Sequence, residues 1–405
     1  MKAPTLRPAT CRRRPPDHTT VTDPQRHATV VGAGLAGAAL AHALVVRGWR
    51  VDLLDAADGP ARGASALPVG MLSPHVTRAP TPLSRLTALG VAATRAELES
   101  WVPTGAGWQP CQVHNHGHDR GVWPAALVRP GALVQAWLTA AQATGRLTTR
   151  WNAPVARLAR PDGSPAWQVQ DATGRPWATS PVVAVTGAIG SLSLLTGAGI
   201  TADWLPLRPV QGQMSLGALA GPPLAEGPQR DNGVFVPEYR DAGLPPAWPE
   251  RIWSMGSTYE RGTTHTDVRA EAHRRNLDSL RALHPAGAEA FERSMAMGQL
   301  LGWAQVRCAS LDRLPLCGAL PDPAALQAER ARAERRRWRP GAADTPRLPG
   351  LFTLCALGSR GLTLSAWCAQ RLAEQMDGAA VQADADLWTA IDPARFAWRQ
   401  TRRAA

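Results

Sequence analysis

The sequence predicts an α/β protein in which a nucleotide-binding parallel sheet is interrupted by strands of a separate antiparallel sheet. Three observations predict it. A short apolar run at 28–31 leads into G-x-G-x-x-G, an Ala-rich stretch and a second apolar run at 49–55. A further apolar run at 181–185 ends in the small residues Thr186, Gly187 and Ala188. The segments NGVFVPEY and RIWSMGST within 231–258 alternate in the manner of antiparallel strands.

The first run, ATVV, is consistent with a buried parallel strand. Gly32, Gly34 and Gly37 supply the spaced glycines, and the stretch to Val46 is a good helix former that Gly48 ends. WRVDLLD then reads as a second strand, giving β–turn–α–β. In that setting the glycines permit a tight turn, close backbone approach to a pyrophosphate and tight helix–strand packing. The helix N-terminus offers free N–H groups and a positive dipole end to the anion. Asp55 closes the second strand 18 residues after Gly37, where an acid would bind ribose hydroxyls. A Gly-rich structural turn would show the same three glycines; the strand before, the helix after and the acid beyond favour the nucleotide reading. The motif does not separate FAD from NAD.

Arg62, Gly63, Ala64 and Ser65, then Gly70, Met71, Leu72, Ser73 and Pro74, form a small-residue loop after the second strand. Such residues let backbone approach a flat ring or a phosphate. Residues 155–185 read as strand, Pro-Asp-Gly turn, strand, Thr-Gly turn and buried strand. Residues 266–283 read as a polar helix carrying His273, Arg274 and Arg275. Towards the C-terminus LFTLCAL reads as a strand, Gly358, Ser359, Arg360 and Gly361 as a glycine turn, and the following residues to Met376 as an amphipathic helix. A second helix N-terminus behind a glycine turn is a second place for an anion or a carbonyl oxygen.

Composition limits the function classes. The 405 residues carry 44 Lys plus Arg against 32 Asp plus Glu, a formal charge of +12, with 44% hydrophobic residues, a globular balance that excludes a wholly disordered chain. Lys2 is the only lysine, and the Arg- and Ala-rich usage looks like a coding bias, so single arginines carry less weight than usual. Cys11, Cys111, Cys308, Cys317, Cys355 and Cys368 include no C-x-x-C pair, and a reducing cytoplasm is the expected compartment. No apolar run reaches transmembrane length, and no secretory h-region precedes the Pro and Arg residues of the N-terminus, so no membrane association is expected.

The charge is uneven. Residues 1–26 hold six basic side chains against Asp17 and Asp23, and residues 328–339 hold six Arg against Glu329 and Glu334, so each segment is +4. Such segments attract a polyanion through counterion release; a solvated tail and helix face would look alike. The tail is Pro-rich and expected to be disordered, with structure starting near His27. Residues 321–347 read as a basic insertion carrying a short helix. His114, His116 and His118, followed by Asp119, would share a face on a strand, but Asn115 and Gly117 suggest a surface loop, and no metal is expected. No G-x-S-x-G elbow supports hydrolase chemistry.

The order of these motifs resembles the D-amino-acid-oxidase-like FAD superfamily. The resemblance is carried by the N-terminal G-x-G-x-x-G, GASALPVGMLSP (63–74), GVWPAALVRPGAL (121–133), RPVQGQMS (208–215), VRCASLDRLPLCG (306–318) and LGSRGL (357–362), and covers roughly 27–376. Within the superfamily the chain is similar to the FAD-dependent domain of the bifunctional enzymes that modify the tRNA wobble uridine. The implied fold is a Rossmann-like FAD-binding domain with an interposed antiparallel-sheet substrate domain. The implied segments are 27–80, 125–205 and 306–395 for FAD, with the insertion at 321–347, and 81–124 and 206–305 for substrate.

The resemblance implies FAD as cofactor and tRNA as partner. The implied reaction oxidises the methylene of the N-carboxymethyl group on carboxymethylaminomethyl-(2-thio)uridine; the imine then hydrolyses to the aminomethyl base and glyoxylate. It also implies that Arg307 clamps the substrate carboxylate, as a guanidinium fork does bidentately. Gly32, Gly34, Gly37, Asp55, Ala64, Ser65, Gly70, Met71, Gly358, Arg360, Gly361, Leu362 and Thr363 are the expected FAD contacts. Arg313 is a weaker candidate, with a structural ion pair as the alternative. Tyr259 and Met255 either touch substrate or pack the core. Ala66 stands where the family pattern leads one to expect glycine, which puts the loop's own flavin contact in question. The family's bifunctional form carries a methyltransferase domain ahead of this one; here the product is expected either to meet a separate methyltransferase as partner or not to be methylated. Two other functions fit the same motifs: a small-molecule amine or amino-acid oxidase, and a flavin-binding RNA-interaction protein without turnover.

Overall fold

The computed structural model describes residues 26–117, 120–201, 204–333, 341, 345–379 and 384–398. The expected basic tail lies outside the described residues but for Arg26, as do most of the arginines of the basic insertion and the pair His118 and Asp119.

Two large sheets organise the chain. The first has six strands in the order Leu316–Pro321, Arg347–Cys355, Val182–Val185, His27–Val31, Arg50–Leu54 and Leu147–Arg150. It is parallel apart from the antiparallel edge strand Leu316–Pro321. Its central strand His27–Val31 is buried along its whole length, as the apolar run requires of a strand covered on both faces. Helices Leu35–Val46, Pro130–Ala143 and Gly361–Met376 pack together on one face, with Leu40, Leu44, Val134, Trp137, Leu364 and Leu372 in one core. Helix Leu35–Val46 is buried on every side from Leu35 to Val45 because its Ala-rich sequence lets neighbours approach closely. The hairpin expected in 155–185 is a three-stranded sheet of Arg157–Ala159, Trp167–Gln170 and Pro176–Ser180.

The second sheet has nine strands. Glu260–Arg261, Leu207–Ala218, Arg251–Gly256, Gly233–Arg240, Gln229–Asp231, Trp108–Asn115, Gly121–Val128 and Gly70–Leu72 follow in order, and Leu301–Ser310 pairs along Leu207–Ala218 over ten residues. The polar helix expected at 266–283 occupies Ala270–Leu283 and covers this sheet through Leu277 and Leu280, which meet Trp253 and Phe291.

Four elements lie elsewhere, in whole or in part, than the sequence-drawn segments place them. Helix Pro82–Trp101 packs on Gly361–Met376, beside the parallel sheet: Gly90 leaves room for the Thr363 carbonyl, and Thr94 Oγ1 donates to Leu362 O at 3.0 Å. Strands Gly70–Leu72 and Gly121–Val128 belong to the nine-stranded sheet. So does Leu301–Ser310, which carries Arg307 into that sheet and away from the FAD segment drawn from 306. Strand pairing decides these memberships, and pairing partners are set by tertiary contacts that a local apolar run does not encode.

Among the described residues no helix is long and apolar enough to cross a membrane. Arginine–carboxylate pairs tie distant segments together, and the best buried are these. Arg129 meets Asp241, Arg347 meets Asp392 and Arg395 meets Asp312. The last two anchor the C-terminal residues, Asp392 to strand Arg347–Cys355 and Arg395 to the turn after Leu301–Ser310.

Candidate active site

One cavity of about 1100 Å³ runs between the two sheets, from the G-x-G-x-x-G turn to Arg307. That is at the top of the usual range for small-molecule sites and leaves room for a dinucleotide with a substrate beside it.

At the first end, strand His27–Val31 delivers the chain into the turn at Gly32, whose φ of 108° suits glycine. A Cβ there would stand 2.9 Å from the backbone of Gly187, so the turn at Gly32 and the small-residue turn at 186–188 lie against each other. Gly34 and Leu35 open the helix with no side-chain cap from Gly34 and no acidic residue in its first turn, leaving a positive end that faces the cavity. Ser65 Oγ accepts the Leu35 N–H at 2.9 Å and lies over Gly34. Asp55 Oδ2 accepts from Ala33 N at 2.6 Å and Oδ1 from Ala57 N at 2.8 Å, so the carboxylate is held firmly and keeps lone pairs for a ribose.

Gly32, Gly34, Asp55, Ala64, Ser65, Gly70, Met71, Gly358, Arg360, Gly361, Leu362, Thr363 and Arg307 all line this one cavity. Gly37 does not: a Cβ there would sit 2.7 Å from Thr186 Oγ1 and 2.9 Å from Gly32 C, so its part is helix-to-turn packing. At the middle of the cavity the helix Gly361–Met376 presents a second uncapped N-terminus, with no acidic residue in its first turn. These two helix ends and the glycine turns can hold a pyrophosphate and a ring carbonyl.

Arg307 closes the far end. Its guanidinium donates to Thr258 O at 2.8 Å, Gln211 O at 3.2 Å and Ser257 Oγ at 3.1 Å, and lies 5.2 Å from the centre of the Tyr259 ring. Among the described residues no carboxylate pairs with it. Burial pushes its pKa down, as it does for Arg360, where the neighbouring Arg313 adds like-charge repulsion. Two half-buried guanidinium groups without an acid form a site that favours an anion. Trp303, Met214, Val234 and Val236 make the wall near them apolar.

The other candidates divide. Tyr259 is 49% exposed, its ring beside both Arg307 and Arg261, and is not among the residues that line the cavity. Met255 is buried in the core with Phe235 and Trp253. Arg313 is exposed and stands next to Arg360. His114 and His116 are on or beside strand Trp108–Asn115, with His116 bonded to Gln229, and no metal-ligating group of three occurs among the described residues. The cavity thiols Cys308 and Cys355 are pushed up by burial, the latter to about 11, and stay protonated at neutral pH.

Sequence reasoning passed over three contributors. Gly212 makes room for the Arg307 guanidinium, Asp312 in the DRLP segment holds Arg395, and Arg230 lines the cavity.

The fold and cavity define a flavin-type oxidoreductase. Residues 27–125 and 117–375 match the model of the FAD dependent oxidoreductases, and the chain belongs to that family. It is 33% identical over 409 residues to the tRNA 5-methylaminomethyl-2-thiouridine biosynthesis bifunctional protein MnmC of Polaromonas sp. strain JS666, covering 90% of this chain and 59% of that one. It is 34% identical over 425 residues to the protein of the same name from Ralstonia nicotianae, covering 94% of this chain and 61% of that one. The chain thus spans about three fifths of the length of these relatives. Among solved structures, glycine oxidase from Geobacillus kaustophilus superposes with a TM-score of 0.63 at 18% identity, covering 91% of this chain and 98% of that one. Iminodiacetate oxidase from Chelativorans sp. BNC1 gives a TM-score of 0.63 at 18% identity, with coverages of 89% and 98%. These likenesses confirm the expected α/β fold.

Proposed function

We propose that the protein removes the carboxymethyl group of carboxymethylaminomethyl-(2-thio)uridine at the tRNA wobble position by oxidising its CH–NH bond, releasing glyoxylate and the aminomethyl base. The observation that carries this reading is Arg307, a half-buried cation with no acid partner among the described residues, at the end of a cavity whose other end is a dinucleotide turn. The printed name of the relatives, a tRNA biosynthesis protein, supports the nucleoside as substrate.

FAD, when bound, would supply the two-electron acceptor for the CH–NH bond. The glycine turns with Ala64, Ser65 and Asp55 would hold its nucleotide part, and Gly70, Met71 and residues 358–363 its ring system. Everything else falls to this chain. The Nη1 edge of Arg307, whose Nε and Nη2 hydrogens are spent on backbone carbonyls, meets the substrate carboxylate with the full guanidinium charge, which fixes the direction of the methylene. Thr258 O, Gln211 O and Ser257 Oγ keep the fork from swinging. The amine must be neutral to be oxidised, and the positive charges of Arg307 and Arg360 favour that form by opposing an ammonium nearby. The apolar wall around Trp303 restricts water at the reacting carbon. Imine hydrolysis needs only water.

Methylation of the aminomethyl product would fall to a methyltransferase outside these 405 residues. The substrate places the enzyme in the cytoplasm. The test is to incubate purified protein with tRNA from cells that accumulate the carboxymethylaminomethyl nucleoside, and separately with glycine, sarcosine and D-alanine, and to analyse nucleosides and peroxide. Loss of the carboxymethyl group supports the proposal. Oxidation of the free amino acids alone would replace it with a small-molecule oxidase, and tRNA binding without any oxidation would replace it with a flavin-binding RNA partner.

A further inference from the structure

A second arginine lines the same cavity on another strand. Arg230 lies in Gln229–Asp231, four strands from Leu301–Ser310 through the order of the nine-stranded sheet, about 19 Å along an uncurled sheet. Its guanidinium is seated entirely by neutral acceptors: Nη1 donates to Ser73 Oγ at 2.6 Å and Pro74 O at 3.3 Å, and Nε to Asn115 Oδ1 at 3.0 Å. Among the described residues no carboxylate pairs with it, although Asp231 follows it in sequence. Burial lowers its pKa with no opposing charge. The seat is specific, since it draws on the segment after strand Gly70–Leu72 and the end of Trp108–Asn115 at once. It is also distant in kind from the dinucleotide turn: the glycine turns and helix ends belong to the parallel sheet, whereas Arg230 and its partners belong to or border the antiparallel one.

A half-buried guanidinium with oriented neutral acceptors and no counter-charge is costly unless a ligand supplies the charge. With Nε and Nη1 spent on that seat, the two N–H groups of Nη2 are held in one orientation and, with the charge, suit the oxygens of a phosphate. A free glycine-type amine has one acid group, which Arg307 takes, and would leave Arg230 idle. Resting on the nucleoside reading above, we infer that Arg230 is a specificity-determining residue that binds a phosphate of the same nucleotide whose carboxylate Arg307 holds. The cavity thus grips the substrate at two anions, one on the base substituent and one on the sugar–phosphate chain, and this sets a nucleotide apart from a free amino acid.

The test compares carboxymethylaminomethyluridine as the nucleoside with its 5′- and 3′-monophosphates, for the wild type, Arg230→Gln and Arg230→Lys, each checked for flavin content. The expected wild-type result is a KM about tenfold or more lower for one monophosphate than for the nucleoside, at similar kcat. In Arg230→Gln that ratio falls towards one, whatever its absolute rates, and Arg230→Lys restores part of it. A second readout is perturbation of the flavin spectrum by uridine monophosphate, expected in the wild type and weaker in Arg230→Gln. A wild type that oxidises nucleoside and nucleotides equally well overturns the inference and leaves the nucleoside reading standing. So does an Arg230→Gln protein that keeps the preference, or one that loses its flavin, since Arg230 would then serve the cofactor. Oxidation of neither compound, with glycine or sarcosine oxidised, ends both.

Discussion

Arg307 rests on the bare face of Gly212. A Cβ on Gly212 would stand 2.7 Å from Arg307 Cζ and 2.9 Å from Thr258 O, so any side chain there displaces the guanidinium from its carbonyl seat. The φ of Gly212 is not in the left-handed region, so alanine is sterically possible for the backbone itself. Gly212→Ala is therefore expected to lower kcat/KM about 10- to 100-fold, through loss of a positioned charge-assisted contact, while the protein keeps its flavin. Steady-state kinetics and the visible spectrum check both halves.

Removing the clamp itself should do more. Arg307→Ala leaves the dinucleotide end of the cavity untouched and should purify yellow, with kcat/KM down by about 100-fold or more. Arg307→Lys restores the charge and not the fork, and should recover only part of that loss. An Arg307→Ala protein with normal turnover would remove this residue from the site.

The dinucleotide turn can be tested without touching the substrate end. Gly37→Ala places a methyl group between the helix, Thr186 and the Gly32 backbone, and should yield protein that does not retain FAD or does not fold. Ser65→Ala removes only the bond to Leu35 N and should cost about 1 kcal/mol of stability, with weaker FAD retention. Denaturation curves and flavin release by dialysis distinguish the two variants.

The turn beyond Arg307 carries a pH signature. Burial alone would raise the Asp312 pKa, but the fork of Arg395, with Nη2 at 2.9 Å and Nε at 3.0 Å, outweighs it and brings the value down to about 2. A carboxyl group whose folded pKa is depressed stabilises the fold above its unfolded value and stops doing so as the pH falls through the folded one. The contribution, about 2 kcal/mol, should be complete above about pH 5, fade below the ordinary carboxylate value of about 3.9 and vanish near 2. Asp312→Asn should lose that acid limb. It should also destabilise at neutral pH by about 3 kcal/mol or more, because Arg395, only 3% exposed, is left without its partner. Urea titrations between pH 2 and 7 report both.

The parts of the site written in backbone were legible in the sequence. Gly32, Gly34 and Gly37 announce a turn because few other residues fit it, and the strands and helix around them follow from apolar runs and propensity. Arg307 was reached through the resemblance, since a chain so rich in arginine gives no single one prominence. Gly212 was not legible as its seat, because what it makes room for comes from a strand 95 residues away in sequence. Arg230 was hidden for the same reason: its meaning lies in Ser73, Pro74 and Asn115, which the sheet brings to it. Helix Pro82–Trp101 was not read from the sequence, and the segment 81–124 that holds it was assigned to substrate through the resemblance, because a local pattern does not say what a helix packs on.

The central claim is that this cavity brings a carboxymethylamino group to a bound flavin through Arg307. Its most direct measurement is anaerobic titration of the purified protein with tRNA bearing carboxymethylaminomethyluridine, following flavin absorbance. The account predicts a protein with about one FAD per chain whose absorbance bleaches in proportion to the modified tRNA added, with glyoxylate appearing. A chain that cannot be loaded with FAD, or a loaded one that this tRNA leaves fully oxidised, would contradict it.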